Sequence, residues 1–337
     1  MTSRVYEAVI DESGNVRLCD TVVCARKSRA LVIVLEGEKP SDEVALSDSQ
    51  NRSTSNAVVN EASRESSEAA ILTWRHRYTL VAELGQGGMG RAMLAERLSD
   101  RGQVCLKFLH EGTNARVLEQ ECRALLRLRH PTIVSLIDFS SVDKPPWLAM
   151  EFVAGIGLKR YMTERAALPM NTVIKIVREV LQGLEYAHSQ QIIHRDLKPT
   201  NLILQLEQRD FRVRILDFGL AIVDSQDHEG NFTAFGATVA GTLAYMAPEQ
   251  LESKLLTAAC DIYSLGVIAW EMLAGRPAFS NEPGRIVVEK FNPCHLGELP
   301  HGIPSPIARF VQSCTKMDPT LRPSASEALA SLAKITT

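Results

Sequence analysis

Eight consecutive residues, "HRDLKPTN" at 194–201, bring together a histidine, two cations, a carboxylate, an amide and a proline. Such a stretch builds no core. It reads either as a solvated loop between a helix and a strand or as a site where charge is moved. Three of its side chains suit the second reading. The Asp196 carboxylate can accept a proton from a hydroxyl, the Lys198 ammonium can neutralise a moving phosphoryl group, and the Asn201 amide oxygen is a hard ligand of the kind Mg2+ prefers. Sixteen residues past Asn201, "ILDFG" offers a second carboxylate, Asp217, at the end of a strand-like run. Two oxygen ligands on neighbouring strand ends make a candidate Mg2+ site.

Two further features lie upstream. "LGQGGMGRAML" contains G-x-G-x-x-G at Gly85, Gly87 and Gly90. Dinucleotide-binding folds use that spacing to open a helix, but here both flanks read as strands. The stretch is therefore expected to be a hairpin of bare backbone, either floppy or able to approach an anion closely. Lys107 in "VCLKFL" sits among apolar residues on an inner strand, where an ammonium is costly unless paired. It either snorkels at a strand end or finds an anion: a phosphate under the glycine loop, or Glu119 or Glu121 on the next helix. If Cys122, Leu125 and Leu126 face inward, Glu121 flanks that face.

The elements that must position these groups fall into two blocks. Strand-like runs come first: "YTLVAEL", "RAMLAERL", "QVCLKFL", "IVSLIDFS" and "WLAMEFV". One helical stretch, "ARVLEQECRALLRLR", interrupts them, with Val117, Leu118, Cys122, Leu125, Leu126 and Leu128 on one apolar face. Helical patterns then dominate. "NTVIKIVREVLQGLEYAHS" carries Val173, Ile174, Ile176, Val177, Val180, Leu181 and Leu184 on a broad face, and "DIYSLGVIAWEMLAG" is apolar nearly all round, as a buried helix would be. Sheet first and helices later predicts an α+β protein with two segregated lobes.

The bulk numbers are those of an ordinary globular protein: 337 residues, 45% hydrophobic, 23% charged, net charge −3 and pI about 6.3. The balance lacks the basic excess of a nucleic-acid binder. Seven scattered cysteines (Cys19, Cys24, Cys105, Cys122, Cys260, Cys294, Cys314), odd in number and without a CxxC pair, point to free thiols in a reducing compartment. With no apolar run of membrane-spanning length, and with acids where a leader would be apolar, a cytoplasmic protein is expected. Residues 1–38 read as a small β-rich unit: apolar segments Val5–Ile10 and Ala30–Leu35, with "DESGN" as a turn before "VRL". Residues 39–73 are Ser-, Asn-, Asp- and Glu-rich and predict a disordered tether, whose serines are either plain solvated residues or phosphorylation sites. Residues 74–337 hold both blocks, divided near residue 153.

Taken in order, these motifs resemble the protein kinase superfamily over Tyr78 to Ala330, and most of all the bacterial eukaryotic-like (Hanks-type) serine/threonine kinases. The resemblance implies a two-lobed fold with a β-rich N-lobe and a mainly helical C-lobe. It implies ATP as co-substrate and Mg2+ as metal, with Mn2+ as an alternative. V-A-I-K reads here as V-C-L-K, with Lys107 as the ATP lysine, and the helix glutamate nine residues before His130 is Glu121. "AMEFV" resembles the hinge, with Met150 as gatekeeper and the backbones of Glu151 and Val153 against adenine; Leu84, Gly85, Gly87, Gly90 and Ala92 complete the nucleotide site. Asp196 is implied as base, Lys198 on the γ-phosphate, and Asn201 and Asp217 on the metal. Thr242 of "GTLAYMAPE" is implied to bridge Asp196 and Lys198, Glu249 to pair with Arg322, Asp261 to be buried, and His194 to pack under Phe218. Two departures, Ala92 for the usual valine and Met89 at the loop tip, touch nucleotide affinity and remove no chemistry.

Within that resemblance, "LKPTN" after Asp196 and the GT…APE segment imply a protein substrate, serine or threonine over tyrosine. Arg195 is implied to receive a phosphorylated loop, whose hydroxyls include Ser225, Thr233 and Thr238, with Thr233 or Thr238 favoured as the autophosphorylated residue. Two other readings are a pseudokinase scaffold, against which Lys107, Asp196 and Asp217 all stand, and a regulatory or toxin–antitoxin-like component. The second follows from residues 1–38, which resemble small β-rich antitoxin or AbrB-like units. It implies a homodimer through that unit, with the N-lobe as an alternative dimer surface.

Overall fold

The computed structural model describes residues 8–10, 16–18, 73–87, 90–110, 115–208, 210–218, 242–252, 256–292 and 296–335, with side chains from residue 73 onward other than those of 115–117. At the N-terminus, β1 (Ala8–Ile10) and β2 (Val16–Leu18) pair antiparallel with Ile10 opposite Val16; the expected turn at 11–15 lies outside the described residues. Ala30–Leu35, most of the 39–73 tether and Met89 lie outside the described residues.

The N-lobe is a five-stranded antiparallel sheet of β3 (Tyr78–Gly87), β4 (Gly90–Arg97), β5 (Gln103–Leu109), β6 (Leu136–Ser140) and β7 (Trp147–Glu151), in the order β3-β4-β5-β7-β6. Alternation along β5 gives the sheet two buried faces. Val104, Leu106 and Phe108 join Tyr78, Ala95, Trp147 and Ala149 in a small outer core. Cys105, Lys107 and Leu109 point the other way, toward the cleft. There α1 (Ala115–Arg127) packs through Leu118, Cys122 and Leu125. Leu126, expected on that inner face, is 58% exposed. The buried stripe runs through Leu118, Glu121, Cys122 and Leu125, and a step of about 100° per residue carries Leu126 past its edge. "IVSLIDFS" becomes a strand only from Leu136. Its first residue, Ile133, instead forms a parallel bridge to Ile215 of the other lobe.

The C-lobe begins with β8 (Gly155–Gly157), α2 (Leu158–Thr163) and α3 (Met170–Ser189). All seven apolar residues expected on the inner face of α3 are buried. β9 (Leu202–Glu207) and β10 (Asp210–Ile215) join β8 in a small sheet that rests on α3. The remaining helices are α4 (Pro248–Leu251), α5 (Ala259–Ala274), α6 (Pro283–Lys290), α7 (Ser305–Cys314) and α8 (Ala325–Ala333). Every residue of α5 from Cys260 to Leu273 is buried, as its all-round apolarity requires. Gly275 ends it at φ +67°, with space for no Cβ: one would stand 2.5 Å from Ala167 N.

Candidate active site

Lys107 is the centre of the cleft. Its Nζ donates to both oxygens of Glu121 at 3.0 Å and to Oδ1 of Asp217 at 2.6 Å. Three elements converge there: β5, α1 and the end of β10. The last is pinned to the N-lobe by Ile215 N–H to Thr132 O (2.6 Å) and Val134 N–H to Ile215 O (3.0 Å). Burial alone would lower the Lys107 pKa, but the charges of Asp217 and Glu121 outweigh it and hold the ammonium above its ordinary value. The two acids split. Burial and the neighbouring Asp217 raise Glu121. Burial opposes ionisation of Asp217 as well, but Lys107 overrides it and holds that carboxyl below its usual range. Glu119 makes no contact with Lys107; Glu121 takes it, because Glu121 is on the buried stripe of α1.

The segment His194–Asn201 hangs from Asp261, a fully buried carboxylate at the start of α5. Asp261 accepts from the backbone N–H of His194 (2.9 Å) and of Arg195 (2.8 Å) and from His188 Nε2 (2.8 Å). Burial would push its carboxyl up; the bonds from His188 and the His194 backbone outweigh that and hold it below its ordinary value. His194 is itself structural. Its ring is buried 4.6 Å from that of Phe218, and its Nε2 meets Leu216 O at 2.9 Å. Beyond it, Lys198 Nζ touches Asp196 Oδ2 (2.8 Å) and Thr242 Oγ1 (3.0 Å). Burial raises the Asp196 pKa against the pull of Lys198, which makes its carboxylate a stronger base.

Asn201 donates its amide N–H to Asp196 O at 2.8 Å, an arrangement that spends the nitrogen and leaves the amide oxygen for another ligand. That oxygen and the Asp217 carboxylate form a hard-oxygen set that fits Mg2+. The glycine hairpin fits a phosphate chain. Nothing lies within 4 Å of a Cβ placed at Gly85 or Gly87, so packing asks for glycine at neither position. At Gly90, by contrast, φ is +154° and a Cβ would stand 1.9 Å from Phe108 O, so β4 and β5 themselves demand glycine there. Ala92 pairs with Lys107, and Met150 with Cys105, on the two flanks of β5. Leu84 is exposed on β3, and Val153 is buried just after β7.

The described residues thus bring together Lys107, Glu121, Asp217, Asp196, Lys198, Asn201 and Thr242. Ser225, Thr233 and Thr238 lie outside them. Four contacts escaped the sequence reading. Glu151 accepts from Ser135 N–H (2.8 Å) and meets Arg214, which ties the hinge to β10. His110 reaches the carbonyl of Gly87 at 2.9 Å. Gln250 bonds to the backbone of Arg195. Each links residues far apart in the chain, and only the adjacency of Gln250 to Glu249 hinted at a role.

A two-lobed fold with a lysine–carboxylate cluster at the cleft and an Asp–Lys–Thr group across it is the arrangement of the protein kinase class. The family described as protein kinase domain matches residues 78–332, and the chain belongs to it. It is 33% identical over 274 residues to the serine/threonine-protein kinase pkn3 of Myxococcus xanthus, an alignment that covers 76% of this chain and 49% of pkn3. It is 29% identical to the serine/threonine-protein kinase PrkC of Bacillus subtilis, over 72% of this chain and 38% of PrkC. To the calcium/calmodulin-dependent protein kinase type 1 of Caenorhabditis elegans it is 33% identical, over 64% of this chain and 62% of that kinase. The chain spans about half or less of the two bacterial relatives. Among the described residues no helix is long and apolar enough to cross a membrane.

Proposed function

We propose that the protein transfers the γ-phosphoryl group of ATP to serine or threonine hydroxyls of other proteins, as a cytoplasmic signalling kinase whose catalytic domain is residues 74–337. The observation that carries this reading is the pairing of two groups across one cleft: Lys107 with Glu121 and Asp217, and Asp196 with Lys198 and Thr242. Lys107 holds the phosphates beneath the glycine hairpin. Asn201 and Asp217 would hold Mg2+, which neutralises phosphate charge when bound. Asp196 orients the acceptor hydroxyl and takes its proton as that oxygen bonds to the γ-phosphorus. The bond to the β–γ bridging oxygen breaks, and ADP leaves with the electron pair. Lys198 balances the charge of the group in transit, and Thr242 holds Lys198 and Asp196 in register. Position and electrostatics supply most of the rate.

Arg195 supports a second layer. Its Nε is buried and has no hydrogen-bond partner among the described residues, as expected of a cation awaiting an anion. We propose that phosphorylated Thr233 or Thr238 is that anion. Mass spectrometry of active protein, with phosphate on neither residue, would overturn this layer. Residues 1–38 are read as a dimerising unit on the 39–73 tether; light scattering with and without them tests this, and a monomer in both cases removes it. The main test is transfer from radiolabelled Mg-ATP to a generic basic protein. Asp196→Asn and Lys107→Ala should each cut turnover by about 10²-fold or more, and wild-type rates in either purified variant would defeat the assignment.

A further inference from the structure

Gln250 follows Glu249 in "MAPEQ", is 4% exposed, and uses both ends of its amide. Its Oε1 accepts from the Ala247 N–H at 2.8 Å, and its Nε2 donates to the Arg195 carbonyl oxygen at 2.9 Å. The second bond lands on the peptide unit that leads into Asp196. A peptide unit is a rigid plane, so the Arg195 carbonyl and the Asp196 N–H turn together. On the other edge of this plane the Asp196 N–H reaches His194 Nδ1 at only 3.3 Å, a long bond.

The backbone here is not at rest. Arg195 has φ +66°, a left-handed region that is strained for a non-glycine residue. Two planes meet at its Cα. Asp261 holds the first through the Arg195 N–H at 2.8 Å. It has no hold on the second, whose tilt is set by rotation about Cα–C. The carbonyl of that second plane is the one Gln250 grips.

We propose that Gln250 is a positioning residue for phosphotransfer: it fixes the Arg195–Asp196 peptide plane, and through it the Asp196 carboxylate, against the backbone of Ala247. The inference rests on the reading of Asp196 as the base. Gln250 touches no reacting atom. Its work is to hold a strained plane at one tilt, so its loss should slow the chemical step and leave nucleotide binding alone.

The test is steady-state kinetics of the full chain with Mg-ATP and a basic protein substrate, as a function of pH. Gln250→Met, similar in length but without hydrogen bonds, should lower kcat by about 10- to 100-fold, the scale of a small misplacement of a catalytic group, with the KM for ATP unchanged. Gln250→Glu gives a second readout. Its protonated carboxyl can make both bonds, with O–H to the Arg195 carbonyl and C=O from the Ala247 N–H. The ionised form cannot donate. Its kcat should therefore fall as pH rises through the pKa of the introduced acid, a limb the wild type lacks. A helix cap with no bearing on Asp196 would show no such limb. If Gln250→Met fails to fold, the near-isosteric Gln250→Glu decides. Wild-type kcat in Gln250→Met, or a Gln250→Glu profile superimposable on the wild type, overturns the proposal while the kinase reading stands. A wild type that transfers no phosphate overturns the kinase reading and this inference with it.

Discussion

Arg322 and Glu249 meet across 73 residues of chain as a bidentate pair, Nη1 to Oε1 at 2.6 Å and Nη2 to Oε2 at 2.8 Å, with both side chains buried. Arg322 spends its other donors on the carbonyls of Lys316, Met317 and Ala259 and stacks 4.9 Å over the Tyr263 ring. It therefore staples α4, which holds the end of the GT…APE segment, to the start of α5, from which the His194–Asp196 backbone hangs. The pair itself adds little over apolar residues of the same volume, but removing one partner strands a buried charge at about 3–5 kcal/mol. Glu249→Ala should destabilise the fold by about that amount, seen as a lower melting temperature, and reduce activity through misplacement of Asp196. Calorimetry checks it, and an unchanged melting temperature would refute it.

The glycines of the hairpin separate into two kinds. Gly87→Ala meets nothing within 4 Å and should leave the melting temperature untouched while raising the KM for ATP. Gly90→Ala would place its Cβ 1.9 Å from Phe108 O and should destabilise the whole sheet. Parallel thermal melts and ATP titrations test the contrast. Loss of stability in Gly87→Ala would mean that the loop is packed rather than open.

Much of this site was legible before any coordinates, because the chemistry demands particular residue types close together in the chain. Asp196, Lys198 and Asn201 fall within six residues, and Lys107 stands out as a lone cation on an apolar strand. Where side chains are described, the helix faces were legible for the same local reason, apart from Leu126 at a stripe's edge. The supporting bonds were not. Gln250 to Arg195 spans 55 residues and Arg214 to Glu151 spans 63, and neither side chain lies in a pattern that periodicity can read. The contact of Lys107 with Asp217 depends on Ile215 pairing with the 132–134 backbone, which no local rule predicts.

Lys290 is fully buried, with no carboxylate within salt-bridge distance among the described residues. Its Nζ lies 4.1 Å from the Phe279 ring and 4.8 Å from that of Tyr263, with a weak 3.4 Å bond to the Tyr263 hydroxyl. Ring contacts favour the ammonium by about 0.5–2 kcal/mol, less than the several kcal/mol its desolvation costs. Burial thus drives its pKa well below the ordinary 10.5, against the attraction of Glu271 and Glu249 and with help from Arg322. A depressed folded-state pKa contributes stability above the unfolded value that is lost as pH falls toward the folded one. Lys290→Met removes that acid-side loss. It should be more stable than the wild type at neutral pH, by about 1–4 kcal/mol, with the gain shrinking toward pH 10.5. Denaturant midpoints across that range test it, and a pH-independent difference would show that Lys290 does not titrate.

Asp196 should show opposite signs in activity and stability. Burial raises its pKa above the ordinary 3.8, while Lys198 pulls it down. The proposed role as base requires it ionised, so kcat should fall as pH drops through that raised value. Lys198→Met removes the pull and should move this acid limb to higher pH as well as lowering the rate. Stability runs the other way. A carboxyl whose folded pKa is raised contributes stability fully present below its unfolded pKa and lost as pH climbs through the folded one. Above that raised value the ionised Asp196 is therefore a cost to the fold, which its proposed role toward a substrate hydroxyl would explain. Asp196→Asn should melt above the wild type at pH 7 while transferring almost no phosphate, and should lose that advantage in acid. A variant both less active and less stable at neutral pH would place Asp196 among the residues that hold the fold rather than those that act on substrate.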